Sequence, residues 1–296
     1  MLFGEVLADV FPERSVLGGA PFNVAQHLKA FGRNPVLLSR VGNDDPGRNV
    51  LGTMAQNGME IGGVQFDRHH PTGQVKVHLQ EGGSHRFEIL PEQAYDFIHP
   101  AVARMVRLPL NPALVYYGTL AQRHEVSRRA LATLLRSTDA AKFLDVNLRA
   151  PWYDEKTLRS ALQYANIVKL NAEELEVLAE MFALQGHLPQ DRVMELIRQF
   201  DLEQVVVTCG AEGAWQMSHA GKVVEAVASN RGATVVDTVG AGDGFAAVYI
   251  LGALRHWPME NTLARANTFA AAICSIRGAV PGHADFYQPF IKEWGI

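Results

Sequence analysis

The chain has 296 residues, of which 48% are apolar and 20% are charged. These fractions exclude a disordered, collagen-like or coiled-coil chain, and the length fits two compact domains or one large α/β domain with an accessory element. The 27 Lys and Arg residues against 31 Asp and Glu residues give a formal net charge of −4, which disfavours nucleic acids and anionic membranes as partners.

Two cysteines, Cys209 and Cys274, stand far apart with no Cys or His at metal-ligand spacing. The sequence therefore indicates neither a disulfide framework nor a zinc site. The first residues lack the basic and apolar regions of a signal peptide, and no stretch approaches the roughly 18 apolar residues that a membrane helix needs. We predict a cytoplasmic protein.

The chain opens with a βαβα pattern. The apolar run Leu2–Val10 predicts a strand, and Pro21 and Gly32 suit the beginning and the end of a helix. A second strand is predicted over Val36–Val41, followed by a helix that an Asp-Pro pair opens and that ends near Gly58.

The segment from Gly63 to Leu90 differs from the rest because apolar and polar residues alternate in it, as in strands with one solvated face. Gly82 and Gly83 predict a hairpin turn within it. A one-sided sheet inserted in an α/β domain can serve as a lid over a site.

From Ala113 onward, short apolar strands alternate with amphipathic segments, which is typical of a parallel sheet covered by helices on both faces. The predicted strands include Leu114–Tyr117, Lys142–Val146, Ile167–Leu170 and Val205–Val207. The predicted helices include Glu125–Arg136, Glu155–Tyr164, Gly242–His256 and Glu260–Ile276, and the last two are expected to close the chain. A hairpin is predicted over Trp215–Met217 and Val223–Val227. The whole chain, 1–296, is thus predicted to be a single doubly wound, Rossmann-like α/β domain with a mostly parallel sheet. Its small β-sheet lid is predicted at about 62–90, with a short piece near 10–18.

The segment Asp237–Phe245 carries the strongest chemical signal. Its glycines, Gly240, Gly242 and Gly244, open an apolar helix and leave several N–H groups at the helix N-terminus, where anions bind. Asp243 would be repelled by a bound phosphate there unless it takes a proton from an attacking hydroxyl. Taken alone, the segment also fits an ordinary helix start with glycines for close packing.

A second glycine segment enters the first predicted helix at Gly18 and Gly19 and places Asn23 on its first turn. Asp9 stands at the end of the preceding strand, and ligands of open α/β sheets bind beyond the carboxyl ends of the strands. Asp and Asn side chains suit the hydroxyls of a polyol. The alternative is an ordinary strand, turn and helix with Asn23 exposed.

Motifs of other nucleotide enzymes do not occur in the sequence. There is no P-loop, because the one Gly-Lys pair, Gly221-Lys222, is followed by Val223, and there is no His-Arg-Asp loop of protein kinases. The dinucleotide fingerprint fails because Phe245 stands where its third glycine belongs.

Together, the segments 18–25 and 237–243 closely resemble the two signature patterns of the PfkB (ribokinase-like) carbohydrate kinases. Three further segments, 145–149 (Asp-Val-Asn-Leu-Arg), 169–174 (Lys-Leu-Asn-Ala-Glu-Glu) and 208–213 (Thr-Cys-Gly-Ala-Glu-Gly), are similar to family motifs and stand in the family order. Gly-Ala-Pro-Phe-Asn and Asp-Thr-Val-Gly-Ala-Gly-Asp look more like fructokinases than ribokinases. The resemblance covers essentially the whole chain.

The resemblance implies transfer of the ATP γ-phosphoryl group to a sugar hydroxyl, and it assigns expected roles residue by residue. Asp243 matches the family's base, and the backbone around Gly240, Ala241 and Gly242 matches its anion hole. The family's sugar contacts match Asp9, Gly18, Gly19 and Asn23. Its nucleotide contacts match Asn171, Thr208, Gly210, Gly213 and Asn267, and a residue that holds Mg²⁺ through water matches Glu174. Many members bind a monovalent cation such as K⁺ at a site that matches Asp237 and Val239.

Three features stay open at this point. Arg149 suits either a phosphate contact or support of the lid. Only eight residues separate Asp9 from Gly18, so the lid strand expected there is short or absent, and homodimerisation through the lid is in doubt. His69-His70 fits a solvated turn better than a metal site, and Cys209 fits a small apolar filler better than a redox switch.

Fructose is the acceptor that the resemblance favours. Ribose, a nucleoside, 2-keto-3-deoxygluconate and a sugar phosphate are alternatives, and a sugar phosphate would need cations near the lid, where Arg14, Lys76 and Arg86 stand. A sugar- or nucleotide-binding regulator without activity is the alternative from a different class, against which the retention of Asp243, Asn171 and Glu174 argues.

Overall fold

The computed structural model describes residues 1–10, 15–79, 85–227 and 234–296. Its strands are β1 (Leu2–Phe3), β2 (Leu7–Val10), β3 (Ser15–Gly18), β4 (Leu37–Gly42), β5 (Val64–Asp67), β6 (Gly73–Leu79), β7 (His85–Ile89), β8 (Leu114–Tyr117), β9 (Ala141–Asp145), β10 (Ile167–Asn171), β11 (Gln204–Thr208), β12 (Ala214–Ser218) and β13 (Val223–Ala226).

The α-helices are α1 (Ala20–Ala30), α2 (Asp45–Gln56), α3 (Pro100–Arg107), α4 (Glu125–Arg136), α5 (Glu155–Leu162), α6 (Ala172–Phe182), α7 (Pro189–Phe200), α8 (Ala241–Leu254), α9 (Met259–Ile273) and α10 (Gln288–Trp294). Short 3-10 helices cover Ala94–Phe97, Leu120–Gln122, Gly210–Glu212 and Ala284–Tyr287. Within the described ranges, no helix is long and apolar enough to cross a membrane.

The main sheet has nine strands in the order β13-β12-β11-β10-β9-β8-β1-β4-β5. Neighbours pair in parallel from β11 to β5, whereas β11, β12 and β13 pair antiparallel. The predicted mostly parallel sheet and the predicted hairpin near its edge are confirmed.

Consecutive strand residues point to opposite faces of the main sheet, which gives the domain two cores. Leu37 and Tyr116 belong to the core that packs under α1, α2, α8, α9 and α10, whereas Leu38 and Tyr117 belong to the core under the helices α3 to α7. Because both faces are covered, the strands carry the near-continuous apolar runs that predicted a doubly wound fold.

A second, small sheet has the order β3-β2-β6-β7. Strands β2 and β6 pair in parallel, and the outer pairs are antiparallel. The prediction of a single strand over Leu2–Val10 is wrong, because β1 lies in the main sheet and β2 in the small one. Between them, Gly4 has φ 149° and an added Cβ would lie 2.6 Å from Pro21 Cγ, so this close approach requires glycine.

The chain segments of the small sheet also differ from the prediction. The range 62–90 includes β5, which pairs with β4 at the edge of the main sheet, so only β6 and β7 of that range belong to the small sheet. The strand before Gly18, expected to be short or absent, is short: β3 has four residues, which pair with all four residues of β2. The predicted turn at Gly82-Gly83 lies outside the described residues.

Most predicted helices are confirmed within a few residues, but the chain does not close on two helices. After α9, a 3-10 helix and α10 pack aromatic side chains on the core. Phe290 lies 5.2 Å from Phe269 between ring centroids, and Trp294 stacks on Phe31 at 5.7 Å. The missing periodicity of this short segment explains why the sequence did not predict it.

Arg123 joins the end of the small sheet to the main domain. Its Nε and Nη2 donate to the two carboxylate oxygens of Asp96 at 2.7 Å each, and Nη2 also donates to the Leu90 carbonyl, just after β7. The guanidinium lies 4.4 Å from the Trp152 ring centroid and is buried. Both partners of this ion pair are desolvated, so removing one leaves an uncompensated charge.

We expect Arg123→Met to lower the free energy of unfolding by about 3–5 kcal/mol, because Asp96 then stays buried without its partner. Guanidinium chloride denaturation measures the change. Arg129→Met is the matched control, since Arg129 pairs with Glu125 on the exposed face of α4 and its loss costs at most about 1 kcal/mol. Equal effects of the two substitutions would contradict the assignment of Arg123 as a buried clamp.

Candidate active site

The two glycine segments meet at the N-termini of α1 and α8. Asn23 Nδ2 donates a hydrogen bond of 2.8 Å to Asp243 Oδ2, across 220 residues of sequence. Asn23 is buried and its Oδ1 has no hydrogen-bond partner. The alternative of an exposed Asn23 on an ordinary helix start is thereby excluded, and the predicted acceptor side and the predicted base share one crevice.

The turn that precedes α8, residues 237–243, exposes N–H groups because of its glycines. Gly240 has φ 81°, and a Cβ at that position would lie 2.4 Å from Ala279 Cα. The first i to i−4 hydrogen bond at this end of the helix runs from Gly244 N to Gly240 O, so the N–H groups of Gly242 and Asp243 precede the helical ladder. Such groups at the positive end of a helix dipole can bind a phosphoryl oxygen.

Desolvation raises the pKa of Asp243 to about 6, and the hydrogen bond from Asn23 counteracts this rise. The neighbouring Asp145 also raises the pKa, whereas Lys169 and Arg149 lower it. A carboxylate with this proton affinity is largely ionised at neutral pH, yet is more basic than an ordinary aspartate. It therefore suits a general base.

A buried ion pair lies beneath this turn. Lys169 Nζ lies 2.9 and 3.1 Å from the two carboxylate oxygens of Asp145, and the Tyr116 hydroxyl donates to the same carboxylate at 3.2 Å. Strand pairing places Lys169 beside Asp145, and Nζ is 3.5 Å from the position of a Cβ on Gly242. Both residues belong to motifs named in the sequence analysis but were given no role there; the available signal was a charged residue within an otherwise mostly apolar strand.

Asp9 lies on β2 of the small sheet and not at the carboxyl end of a main-sheet strand, so the reason for predicting it near the crevice was wrong. Burial nevertheless raises its pKa to about 6, and Arg149 lowers it. A Cβ on Gly18 would lie 3.4 Å from Asp9 Oδ2, and one on Gly19, at φ 106°, would lie 2.6 Å from the Glu5 carbonyl oxygen. Gly19 thus allows the start of α1 to approach the backbone of Glu5 closely.

Glu5 is a carboxyl group that sequence reasoning missed. It stands between β1 and β2, is 4% exposed, and its Oε2 has no hydrogen-bond partner. Burial raises its pKa to about 7, with Arg149 lowering and Asp243 raising it further. An acidic residue within the run Leu2–Val10 was the available signal.

Arg149 is exposed, and its charge acts on Glu5, Asp9 and Asp243. Its guanidinium Nη1 donates to the Leu148 carbonyl at 3.2 Å. Arg149 is thus the cation whose charge lowers the pKa values of all three carboxyl groups.

Asn171 and Glu174 form a capping box at the start of α6. Asn171 Oδ1 accepts from Glu174 N at 2.7 Å, and Glu174 Oε2 accepts from Asn171 N at 2.9 Å, while Oε1 accepts from Leu148 N. Burial raises the pKa of Glu174, and Lys169 lowers it. Each carboxylate oxygen keeps a lone pair for a metal-bound water, which fits a Mg²⁺ ion held mainly by phosphates.

Among the described residues, no group of three or more His, Cys, Asp and Glu side chains could hold a metal ion. His70 is engaged elsewhere, since its Nδ1 lies 3.1 Å from Asp67 Oδ2 and its ring stacks on Phe97. His69 and His70 lie in a bend, as predicted.

The predicted nucleotide loop follows β11. Thr208 Oγ1 donates to the Leu170 carbonyl at 3.4 Å, and Cys209 N donates to the Gly213 carbonyl at 2.8 Å. Gly210 and Gly213 have φ values of 56° and 107°. Burial raises the pKa of the Cys209 thiol, which agrees with its interpretation as an unreactive filler.

The remaining predicted site residues are hydrogen-bonded to the backbone. Asn267 on α9 is buried, and its Nδ2 donates to the Ala226 carbonyl at 2.7 Å. Asp237 accepts from Val239 N at 3.1 Å and from Gly278 N at 3.0 Å. The Asp237 bonds fix the turn before α8, whereas the Asn267 bond joins α9 to β13. The roles of Asn267, Asp237 and Val239 stay predictions.

Of the three cations suggested for a phosphorylated acceptor, only the side chain of Lys76 is among the described ones. Lys76 is exposed on β6. Arg14 and the side chain of Arg86 lie outside the described residues.

Comparison with known proteins decides the family. The model of the pfkB family of carbohydrate kinases matches residues 3–284. The chain belongs to this family. It is 30% identical to fructokinase-1 of Zea mays over 263 residues, which cover 82% of this chain and 79% of the relative. It is 28% identical to fructokinase of Escherichia coli over 267 residues, which cover 85% of this chain and 83% of the relative. A member of the pfkB family is a phosphotransferase that acts on a sugar hydroxyl.

Solved structures agree in fold. The chain superposes on a fructokinase with bound ATP from Xylella fastidiosa with a TM-score of 0.82, at 21% identity, over 100% of this chain and 99% of that one. The TM-score to aminoimidazole riboside kinase of Salmonella enterica is 0.79, at 21% identity, over 98% and 99%. The expected fold with its main and small sheets is therefore confirmed.

A base at Asp243 must be ionised to accept a proton, so we expect kcat/KM for the sugar to fall as the pH drops below about 6. Asn23→Leu removes a hydrogen bond that favours the carboxylate and should move this acid limb to higher pH. Asn34→Ala, which alters a surface contact with Lys29, should leave the limb in place. If the acid limb of the pH profile lies at the same pH in Asn23→Leu and in the unmodified protein, Asn23 does not control the pKa of Asp243.

Proposed function

We propose that this pfkB kinase transfers the γ-phosphoryl group of MgATP to a hydroxyl of fructose. The observation that carries the proposal is the contact of Asn23 with Asp243, which joins the predicted acceptor side to a base within an anion-binding turn. The fructokinase names of the maize and Escherichia coli relatives support fructose as the acceptor.

Asp243 accepts the proton of the attacking hydroxyl in this mechanism. Asn23 holds one carboxylate oxygen at 2.8 Å and leaves the other for the substrate. The pKa of about 6 lets the group stay ionised near pH 7 and still take the proton as the hydroxyl oxygen attacks phosphorus. The proton leaves with the released product or returns to water after transfer.

The N–H groups of Gly242 and Asp243 stabilise the charge that develops on the transferring phosphoryl oxygens. They belong to a rigid turn, because Gly240 packs against Ala279 and Asp237 binds Gly278. Preorganised donors of this kind need no rearrangement during the reaction, and removal of one comparable donor in other enzymes costs about 10²–10³ in kcat.

Asn171 and Glu174 would hold the Mg²⁺–triphosphate region, with Glu174 acting through water. The ion neutralises phosphate charge when bound. A fructokinase from Xylella fastidiosa has been solved with bound ATP, which supports ATP as the donor. We propose that the loop with Thr208, Gly210 and Gly213, together with Asn267, contacts the remaining part of the ATP molecule.

The charges on the acceptor side favour a neutral polyol over a sugar phosphate. Glu5, Asp9 and Asp243 place three carboxyl groups there, and Arg149 is the cation that acts on all three. A second phosphate on the acceptor would meet this negative field. Fructose should therefore be a better substrate than its phosphates.

We propose that the small sheet is the lid of this site and that the whole chain forms one kinase domain around it. Asp9 lies on β2, so closure of the sheet brings a sugar contact with it. A closed sheet would exclude water from the transferring phosphoryl group and limit wasteful hydrolysis of ATP.

Asp243→Asn should cut kcat by about 10²–10⁴-fold while MgATP still binds, because the amide cannot accept the proton. The assay is a coupled kinase measurement with fructose, ribose, nucleosides, 2-keto-3-deoxygluconate and fructose phosphates, combined with calorimetric titration of MgATP. Asp285→Asn, on the 3-10 helix near the C-terminus, serves as a control and should keep full activity.

If the protein phosphorylates ribose or a nucleoside in preference to fructose, the proposed acceptor is wrong and the proposed phosphoryl transfer still holds. Absence of turnover with every acceptor would overturn the kinase proposal in favour of a binding protein without activity. Unchanged turnover in Asp243→Asn would remove Asp243 from the role of base.

A monovalent cation beside Asp237 and Val239 extends the proposal. The carboxylate of Asp237 orders the backbone around Val239, and a Vibrio cholerae fructokinase has been solved with fructose, ADP and a potassium ion. We expect kcat to be higher in KCl than in choline chloride of equal ionic strength, and the same rates in both salts would contradict a K⁺ site.

A further inference from the structure

His27 is a buried titratable residue that the proposed mechanism does not use. It lies on α1, one turn after Asn23, and is fully buried. Its Nδ1 lies 2.9 Å from the Tyr287 hydroxyl and its Nε2 lies 3.1 Å from the Ala279 carbonyl oxygen. Two side chains of α1 are therefore linked to the turn 237–243 that precedes α8: Asn23 by its bond to Asp243, and His27 by its bond to Ala279, which lies against Gly240.

These contacts define the tautomer of His27. The Ala279 carbonyl oxygen can only accept, so Nε2 carries the hydrogen and donates it. Nδ1 then accepts from the Tyr287 hydroxyl. Burial lowers the pKa of His27 to about 4, which agrees with a neutral ring at neutral pH.

Ala279 lies against the turn that binds the phosphoryl group. A Cβ on Gly240 would lie 2.4 Å from Ala279 Cα and 2.9 Å from its carbonyl oxygen, so the two backbones are in direct contact. The preceding residue, Gly278, donates to Asp237 at the other end of the same turn. Any shift of residues 278–279 must therefore move Gly240 and the N–H groups after it.

We propose that His27 is a positioning residue that sets the anion-binding turn through its hydrogen bond to Ala279, while Asn23 on the same helix sets the base. This inference rests on the proposed kinase function. Its consequence is that α1 fixes the base and the phosphoryl donors relative to each other. A misplacement of about 1 Å in such a site can cost about 10²-fold in rate.

The alternative is that His27 only fills the aromatic cluster around it. Its ring lies 5.3 Å from Phe269 and 6.0 Å from Tyr287 between centroids. In that case, every loss of packing in this cluster would act through stability alone. A control within the same cluster therefore separates the two roles.

The experiment compares four variants of the full chain. His27→Leu keeps bulk and removes the donor to Ala279, whereas His27→Gln keeps an N–H that can replace Nε2. Phe290→Leu weakens the same cluster, through its contact with Phe269, without touching Ala279. Tyr287→Phe removes only the hydroxyl that fixes the His27 tautomer, and it keeps the test valid should His27→Leu fail to fold.

We expect His27→Leu to lower kcat by about 10- to 100-fold, with the KM values for fructose and MgATP little changed. Tyr287→Phe should lower kcat in the same way but by less, and His27→Gln should recover most of the activity. Inhibition by MgADP with aluminium fluoride, which mimics the phosphoryl group in transit, should weaken in parallel with kcat, whereas binding of MgADP alone should not. Phe290→Leu should lower the melting temperature and keep kcat.

Amide hydrogen exchange over residues 237–243 provides a readout that needs no turnover. Exchange should accelerate in His27→Leu and Tyr287→Phe and stay unchanged in Phe290→Leu. Equal kcat and equal exchange in all of the variants would overturn the role of His27. A wild-type protein that phosphorylates no sugar would instead overturn the kinase proposal, and the exchange data would still decide whether His27 positions the turn.

Discussion

The hydrogen bond between Asn23 and Asp243 is the constraint on which the site depends. It joins the first turns of two helices whose sequences are 220 residues apart, and each helix start is built from glycines that let backbones approach. The bond also holds the carboxylate against the repulsion of Asp145 and the cost of desolvation. Lys169 pairs with Asp145 beneath the turn and thereby offsets part of the negative charge next to the Asp243 carboxylate.

Much of the fold could be predicted because its signals are local. Buried parallel strands need apolar residues on both faces, and residues such as Pro21 and Gly240 mark helix starts by their own backbone preferences. The meeting of Asn23 with Asp243 followed from the resemblance of two segments to the motifs of one family. The rule that crevices lie at the carboxyl ends of strands does not account for it, because α1 follows β3 of the small sheet and not a strand of the main sheet.

Other features could not be predicted, since they depend on tertiary contacts. The run Leu2–Val10 looks continuous, and only the contact of Gly4 with Pro21 shows where it leaves the main sheet. The ion pair of Lys169 and Asp145 depends on the register of two strands. Glu5 carries no motif at all, and its raised pKa comes from burial, which no short pattern in a sequence displays.

The small sheet is made from two separate stretches of chain. The first enters after Gly4–Val6 and forms β2 and β3, and the second enters at Gly73, forms β6 and β7 and leaves at Leu90. A Cβ on Gly73 would lie 2.7 Å from the Val6 carbonyl oxygen, so the two points of attachment touch. A plate fixed along one short line can rotate about that line but cannot slide. For the lid proposed above, contact along this line, together with the Arg123 bond to Leu90, favours closure by rotation over closure by sliding.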